Sequence, residues 1–116
     1  MSLISTADGM FRGCELLETF NSNLKSATTA TGAFSGCVKL GTFNCNLEKL
    51  TSGDNLFNEC VELKYFTSKL TALTSATNMF SSCTKLDTFD AEMPSLQLGN
   101  QMFKDLKALS TFNSNL

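Results

Sequence analysis

The sequence predicts an α/β solenoid, a stack of one coil per repeat, and three observations predict it. Phe11, Phe34, Phe57, Phe80 and Phe103 stand a constant 23 residues apart, and Phe20, Phe43, Phe66, Phe89 and Phe112 keep the same interval. Between the two series lies a Leu in every unit, at positions 17, 40, 63, 86 and 109. Together the two series use all ten Phe of the 116-residue chain. A fixed period of this length means that one supersecondary unit stacks on the next, because no unit can bury its apolar face alone. Residues 1–116 therefore make a single solenoid of five 23-residue repeats and one residue over.

Each position of the unit follows from that phase. Counting from the Leu, the pattern runs Leu-x-x-Phe-x-small-x-Leu-x-x-apolar-x-x-small-x-x-apolar-Phe-x-x-Cys-x-x. Leu24, Leu47, Leu70, Met93 and Leu116 fill the eighth place, and Ala27, Leu50, Leu73 and Leu96 the eleventh, with Ile4 in the same phase before the first complete unit. Ala30, Gly53, Ala76 and Gly99 hold the small position; Ala33, Leu56, Met79 and Met102 precede the first Phe. An inward residue every three or four positions describes a whole circuit of the coil. A continuous helix does not fit, since steps of three fall back by about 60° each and spread Phe57, Cys60, Leu63 and Phe66 over half its surface. The intervening Thr, Ser, Asn and Gly also compete with helical hydrogen bonding or weaken it. Two-helix repeats need about 34 residues or more, whereas a unit of 20–29 with a Leu-x-x-apolar strand belongs to the leucine-rich class.

The unit Met79-Phe80-Ser81-Ser82-Cys83-Thr84-Lys85-Leu86-Asp87-Thr88-Phe89, preceded by Leu73-Thr74-Ser75-Ala76, resembles the BspA-like leucine-rich repeats of bacterial and protozoal surface proteins. Those units similarly pass through Thr-Ser, an apolar-Phe pair, Cys and Leu-x-x-Ile. The likeness covers essentially the whole chain. Two departures stand out: Phe replaces the usual Ile or Leu of the strand, and Asn23, Asn46, Lys69, Glu92 and Asn115 stand where Pro is common.

Placed on the frame that the resemblance implies, Leu17–Ser22, Leu40–Cys45, Leu63–Ser68, Leu86–Ala91 and Leu109–Ser114 are the strands of a short parallel sheet on the concave face. In each, the Leu, the Phe and the small residue point inward; Cys45 takes the small place otherwise held by Ser22, Ser68, Ala91 and Ser114. The segments around Phe11, Phe34, Phe57, Phe80 and Phe103 are expected on the convex wall as short helical or 3₁₀ turns. Burying a Phe is worth roughly 1.5–3 kcal/mol, so two ladders of stacked rings are the main expected source of stability.

Composition narrows the partners. With 42% hydrophobic and 17% charged residues, a net charge of −2 and no basic run, the chain lacks the clustered Lys and Arg that nucleic acid or an anionic membrane surface requires. The first residues, Met1-Ser2-Leu3-Ile4-Ser5-Thr6-Ala7-Asp8, do not show the positive start and apolar run that a secretory signal needs, and no apolar run approaches the roughly 20 residues of a membrane span. The chain starts at mid-repeat without the polar caps of a solenoid, which predicts a piece of a longer protein, with Met1-Ser2-Leu3 a cloning remnant.

Cys14, Cys37, Cys60 and Cys83 recur once per repeat, with Leu106 in the fifth place. That spacing makes a column rather than a tetrahedral metal site, and a position shared by Cys and Leu is a packing position. The four are expected buried and reduced, although adjacent thiols in such a column approach disulfide distance. There is no His, no phosphate loop, no nucleophile elbow and no paired metal-ligand motif, and Glu59, Glu62, Asp87, Asp90 and Glu92 fall at outward positions. No catalysis, cofactor or metal is expected.

Three outward rows line the strand face: Thr19, Thr42, Tyr65, Thr88 and Thr111; Asn21, Asn44, Thr67, Asp90 and Asn113; and Asn23, Asn46, Lys69, Glu92 and Asn115. Side-chain variety is greatest at Tyr65, Thr67, Lys69, Thr88, Asp90 and Glu92, the candidate ligand contacts. A solvated sheet accounts for uniform Asn and Thr rows; a binding surface needs such variety. The resemblance implies a non-catalytic module of an extracellular or cell-surface protein, binding a protein or glycan as adhesins do. The alternative is a structural spacer or fibre segment that self-associates end to end.

Overall fold

The computed structural model describes residues 5–21 and 24–113. Ile4, Ser22, Asn23, Ser114, Asn115 and Leu116 lie outside the described residues, as does the start of the chain through Leu3. Five strands follow in order: β1 Thr19–Phe20, β2 Thr42–Phe43, β3 Tyr65–Phe66, β4 Thr88–Asp90 and β5 Thr111–Asn113. All pairing is parallel and moves one repeat per step, Thr19 facing Thr42, Tyr65 facing Thr88 and Thr88 facing Thr111. The strands are shorter than the six-residue segments expected, because the chain turns inward again at Leu24, Leu47, Leu70 and Met93 and buries them.

The parallel pairing is not continuous. β1–β2 form one sheet and β3–β4–β5 another. Elsewhere the turn into each strand gives two N–H groups to a single carbonyl of the preceding repeat: Gly41 and Thr42 to Glu18, Asp87 and Thr88 to Lys64, Ser110 and Thr111 to Asp87. Among the described residues no backbone hydrogen bond joins β2 to β3. The seam is bridged by the Ser68 hydroxyl, which donates to the Cys45 carbonyl at 2.6 Å.

The opposite wall corrects the expected helical turns. Among the described residues it contains no helix, only consecutive turns. Two residues per repeat take positive φ, from 57° to 76°: Gly9 and Gly13, Gly32 and Gly36, Asn55 and Glu59, Asn78 and Ser82, Gln101 and Asp105. Left-handed residues four apart interrupt any run of helical dihedrals. Their hydrogen bonding shows what replaces the helix. The N–H groups of Ala7, Gly9, Phe11 and Gly13 donate to carbonyls of the next repeat, on Thr29, Thr31, Ala33 and Ser35, at 2.7–2.9 Å. Those of Met10, Arg12 and Cys14 fold back three residues, at 3.1–3.2 Å. Alternate amides thus stitch repeats together where a helix would spend all of them within itself.

A third ladder runs through Thr6, Thr29, Ser52, Ser75 and Leu98, joined as successive parallel bridges. Here the Thr51 hydroxyl donates to the Thr28 carbonyl and the Thr74 hydroxyl to that of Thr51, both at 3.0 Å. These two walls run without a break across the seam in the strands.

The core between the walls is aromatic. Rings of Phe11, Phe34, Phe57, Phe80 and Phe103 stack with nearly parallel planes and centroids 5.2, 5.7, 5.3 and 5.9 Å apart. The strand series, Phe20 through Phe89, stacks at 5.6, 6.1 and 5.7 Å, the widest step being Phe43–Phe66 at the seam. Across the two ladders the rings meet edge to face, as Phe57 does with Phe43 at 4.7 Å and 80°. Both arrangements suit the ring quadrupole. Phe34, Phe57, Phe66, Phe80 and Phe89 are fully buried, whereas Phe11, Leu17, Phe103, Leu106 and Leu109 in the terminal layers keep part of their surface in solvent. The molecule measures 35 × 33 × 20 Å.

Candidate functional site

Strand alternation sets the outer face. In β1, β2 and β3 the Thr or Tyr is exposed and the following Phe is buried. Asn21, Asn44, Thr67 and Asp90 are exposed in the next outward row, and Asn46, Lys69 and Glu92 in the third. The result is a polar surface carrying one large aromatic, Tyr65, which is 56% exposed.

Beyond the ends of β3 and β4 this face is indented. Thr67, Lys69, Asp90 and Glu92 line one open cleft of about 470 Å³, together with Ser68, Thr71 and Ala91. Four of the six candidate contacts therefore meet in one place. The other two, Tyr65 and Thr88, are register partners on the adjoining strands and do not line it. Thr71 is held from both sides: its hydroxyl donates to the Glu48 carbonyl at 3.4 Å, and its own carbonyl accepts from the Ser95 hydroxyl at 3.1 Å.

A smaller cleft of about 240 Å³ lies at the seam, between Phe43–Asn46 of one repeat and Thr67–Lys69 of the next. Thr67, Ser68 and Lys69 form the rib between the two clefts. Thr71 and the amide-bearing Asn44 and Asn46 were not among the candidate contacts. Asn44 shares the outward row of Thr67 and Asp90, and Asn46 that of Lys69 and Glu92, which is their signal in the sequence; Thr71 lies outside those rows.

On another flank Lys39, Lys64 and Lys85 gather with Glu18 and Glu62 around an open depression. Sequence order hides this cluster, since Lys39, Glu62 and Lys85 become neighbours only through the 23-residue column. Lys85 pairs with Glu62 at 2.6 Å, an exposed contact of the kind worth about 0–1 kcal/mol.

The cysteine column is a packing feature. Cys37, Cys60 and Cys83 are fully buried, Cys14 is half-buried, and all five cysteines including Cys45 are free thiols. Each buried column member donates its S–H to a Phe carbonyl of the previous repeat, Cys37 to Phe11, Cys60 to Phe34 and Cys83 to Phe57, at 3.0–3.1 Å. Desolvation raises the pKa of all three and of Cys45, that of Cys83 to about 12. Among the described residues no three His, Cys, Asp or Glu converge as metal ligands, and no helix is long and apolar enough to cross a membrane.

The family model of the BspA type leucine rich repeat region matches residues 2–115 in six copies. Neither the curated proteins nor the solved structures return a match.

Proposed function

We propose that this chain, which belongs to the BspA type leucine-rich repeat family, is an adhesion-like binding module of a surface or secreted protein. Family membership supports a non-catalytic repeat module for macromolecular interaction. Members are usually surface or secreted proteins. The single observation that carries the binding surface is the convergence of Thr67, Lys69, Asp90 and Glu92 on one cleft of the strand wall. Rigid stacked strands hold such side chains at fixed spacing, so little ordering cost falls on binding. Contact with a protein or glycan through this wall is the function we assign.

The test is adhesion of the labelled chain to fixed microbial and animal cells. Thr67→Arg with Asp90→Arg should abolish it, and Glu15→Arg, on an exposed turn, should not. Equal adhesion by all three would remove the strand wall as the binding surface. The rival reading is a spacer that self-associates through the partly exposed terminal layers at Phe11 and Leu17 and at Phe103, Leu106 and Leu109. Sedimentation equilibrium over a range of concentration decides it. Reversible, reductant-independent association without adhesion would favour the spacer.

A further inference from the structure

We infer that the ligand of the strand wall is a neutral oligosaccharide lying across β2, β3 and β4, an assignment that rests on the binding reading above. Four observations point the same way. First, the two clefts are adjacent and share the rib Thr67–Ser68–Lys69, so they form one track along the stacking direction. A pyranose unit spans close to the strand spacing of about 4.8 Å, which lets successive sugars fall in step with successive repeats, whereas an extended peptide advances about 3.3 Å per residue and falls out of step.

Second, the lining suits hydroxyl groups. Asn44 and Asn46 offer amides on one side of the rib; Asp90, Glu92, Thr67 and Thr71 offer carboxylates and hydroxyls on the other. Sugar hydroxyls both donate and accept, and this set does the same. Third, the seam leaves backbone groups without a ladder. In the β1–β2 pair the Asn44 N–H donates to the Phe20 carbonyl. One repeat on, the equivalent bond from Thr67 to Phe43 is absent among the described residues, and both residues border the smaller cleft. Backbone groups released from the ladder beside an open cleft are within reach of a ligand hydroxyl.

Fourth, charge and hydrophobicity argue against the other occupants. Asp90 and Glu92 against Lys69 leave the larger cleft with a net negative lining, which disfavours sulfated or carboxylated glycans. A protein partner would want buried aromatic or Arg anchors at its centre. Among the described residues this wall exposes one large aromatic, Tyr65, flanking the track and suited to lie against a sugar face.

The experiment titrates the isotope-labelled chain with cellohexaose, maltohexaose, mannohexaose and chitohexaose, and with a heparin hexasaccharide, following backbone amide shifts. At least one neutral hexasaccharide should shift residues 44–46, 67–71 and 90–92 in a saturable way. Asp90→Asn with Glu92→Gln should weaken it on the order of tenfold, as expected for lost hydrogen bonds to charged groups. Native dispersion of the remaining amides shows that the variant is folded. No saturable shift with any of the four neutral sugars, or binding of the heparin fragment alone, overturns the assignment. Adhesion that depends on the strand wall but survives periodate treatment of the cells would identify a protein ligand, leaving the binding reading standing and the glycan one refuted.

Discussion

The Cys60 thiol donates to the Phe34 carbonyl oxygen, 26 residues earlier in the chain, at 3.1 Å. The same oxygen accepts the Cys37 N–H at 3.1 Å, so one carbonyl closes its own turn and ties down the next repeat. Cys60→Ala removes the thiol from a fully buried site and leaves that oxygen with one donor. A loss of about 1–2 kcal/mol is expected from the lost burial and hydrogen bond, measured by urea unfolding. A loss below about 0.3 kcal/mol would show that the column contributes only bulk that its neighbours replace.

The thiols also set a limit at alkaline pH. Burial raises Cys83 from 9.0 to about 12 and moves Cys60 in the same direction. Below pH 9 both folded and unfolded states hold these protons, and the thiols make stability independent of pH. Above it the unfolded chain ionises first and the folded state does not. Stability should therefore fall between about pH 9 and 12, by up to about 1.4 kcal/mol per pH unit for each such thiol. Denaturation midpoints at pH 8, 9.5 and 11 check this, and an unchanged midpoint at 11 would contradict it. The Cys60→Ala, Cys83→Ala double variant should flatten the dependence.

Phe57 touches four rings: Phe34 and Phe80 stacked, Phe43 and Phe66 edge-on. Phe57→Ala, and likewise Phe66→Ala in the other ladder, should cost about 3–5 kcal/mol. Thermal unfolding gives the value, and a loss below 1 kcal/mol would argue against a close-packed double ladder.

The left-handed positions separate by residue type. Gly36 has φ 76°, and a Cβ there would meet only the Gly13 backbone at 3.7 Å, an ordinary contact. Gly36→Ala should therefore cost about 1–2 kcal/mol from conformation alone. Glu59, at the equivalent place with φ 64°, already bears that strain. Glu59→Gly should stabilise by about 0.5–1 kcal/mol, the relief being partly offset by the greater freedom of glycine when unfolded. Opposite signs in the two Tm shifts are the expected result; the same sign in both would overturn it.

Asn44 and Thr67 point outward beside buried Phe43 and Phe66. Replacing either by Ala should change stability by less than about 0.5 kcal/mol. A large loss by chemical denaturation would put their strands out by one residue, because a single step exchanges the two faces.

The Phe, Leu and Cys columns were legible because each is an inward position repeated at one interval, and burial at Phe34, Cys37, Leu40 and Phe43 follows that phase. The turns were harder. Spacings of three around Phe57 and Cys60 suit both a 3₁₀ segment and linked turns, and Gly9, Gly13, Gly32 and Gly36 hint at the latter. Asn55, Glu59, Asn78, Ser82, Gln101 and Asp105 take the same conformation without glycine, so composition alone does not mark the position. The outward rows were readable as rows, but the cleft was not. Thr71 joins it from beyond the strand, and Tyr65 and Thr88 stand outside it.

By itself the sequence determined the period, the identity of every core column and the inward or outward sense of the strand residues, because a repeat gives each position the same neighbours one unit away. Only the tertiary structure decided where those columns fail to match. The break between β2 and β3, the clefts on either side of Thr67–Lys69 and the cluster of Lys39, Lys64 and Lys85 depend on how particular layers settle against each other. Stacking energy is shared across the whole aromatic core, so one strand pair can lose its hydrogen bonds while the other two walls hold the register.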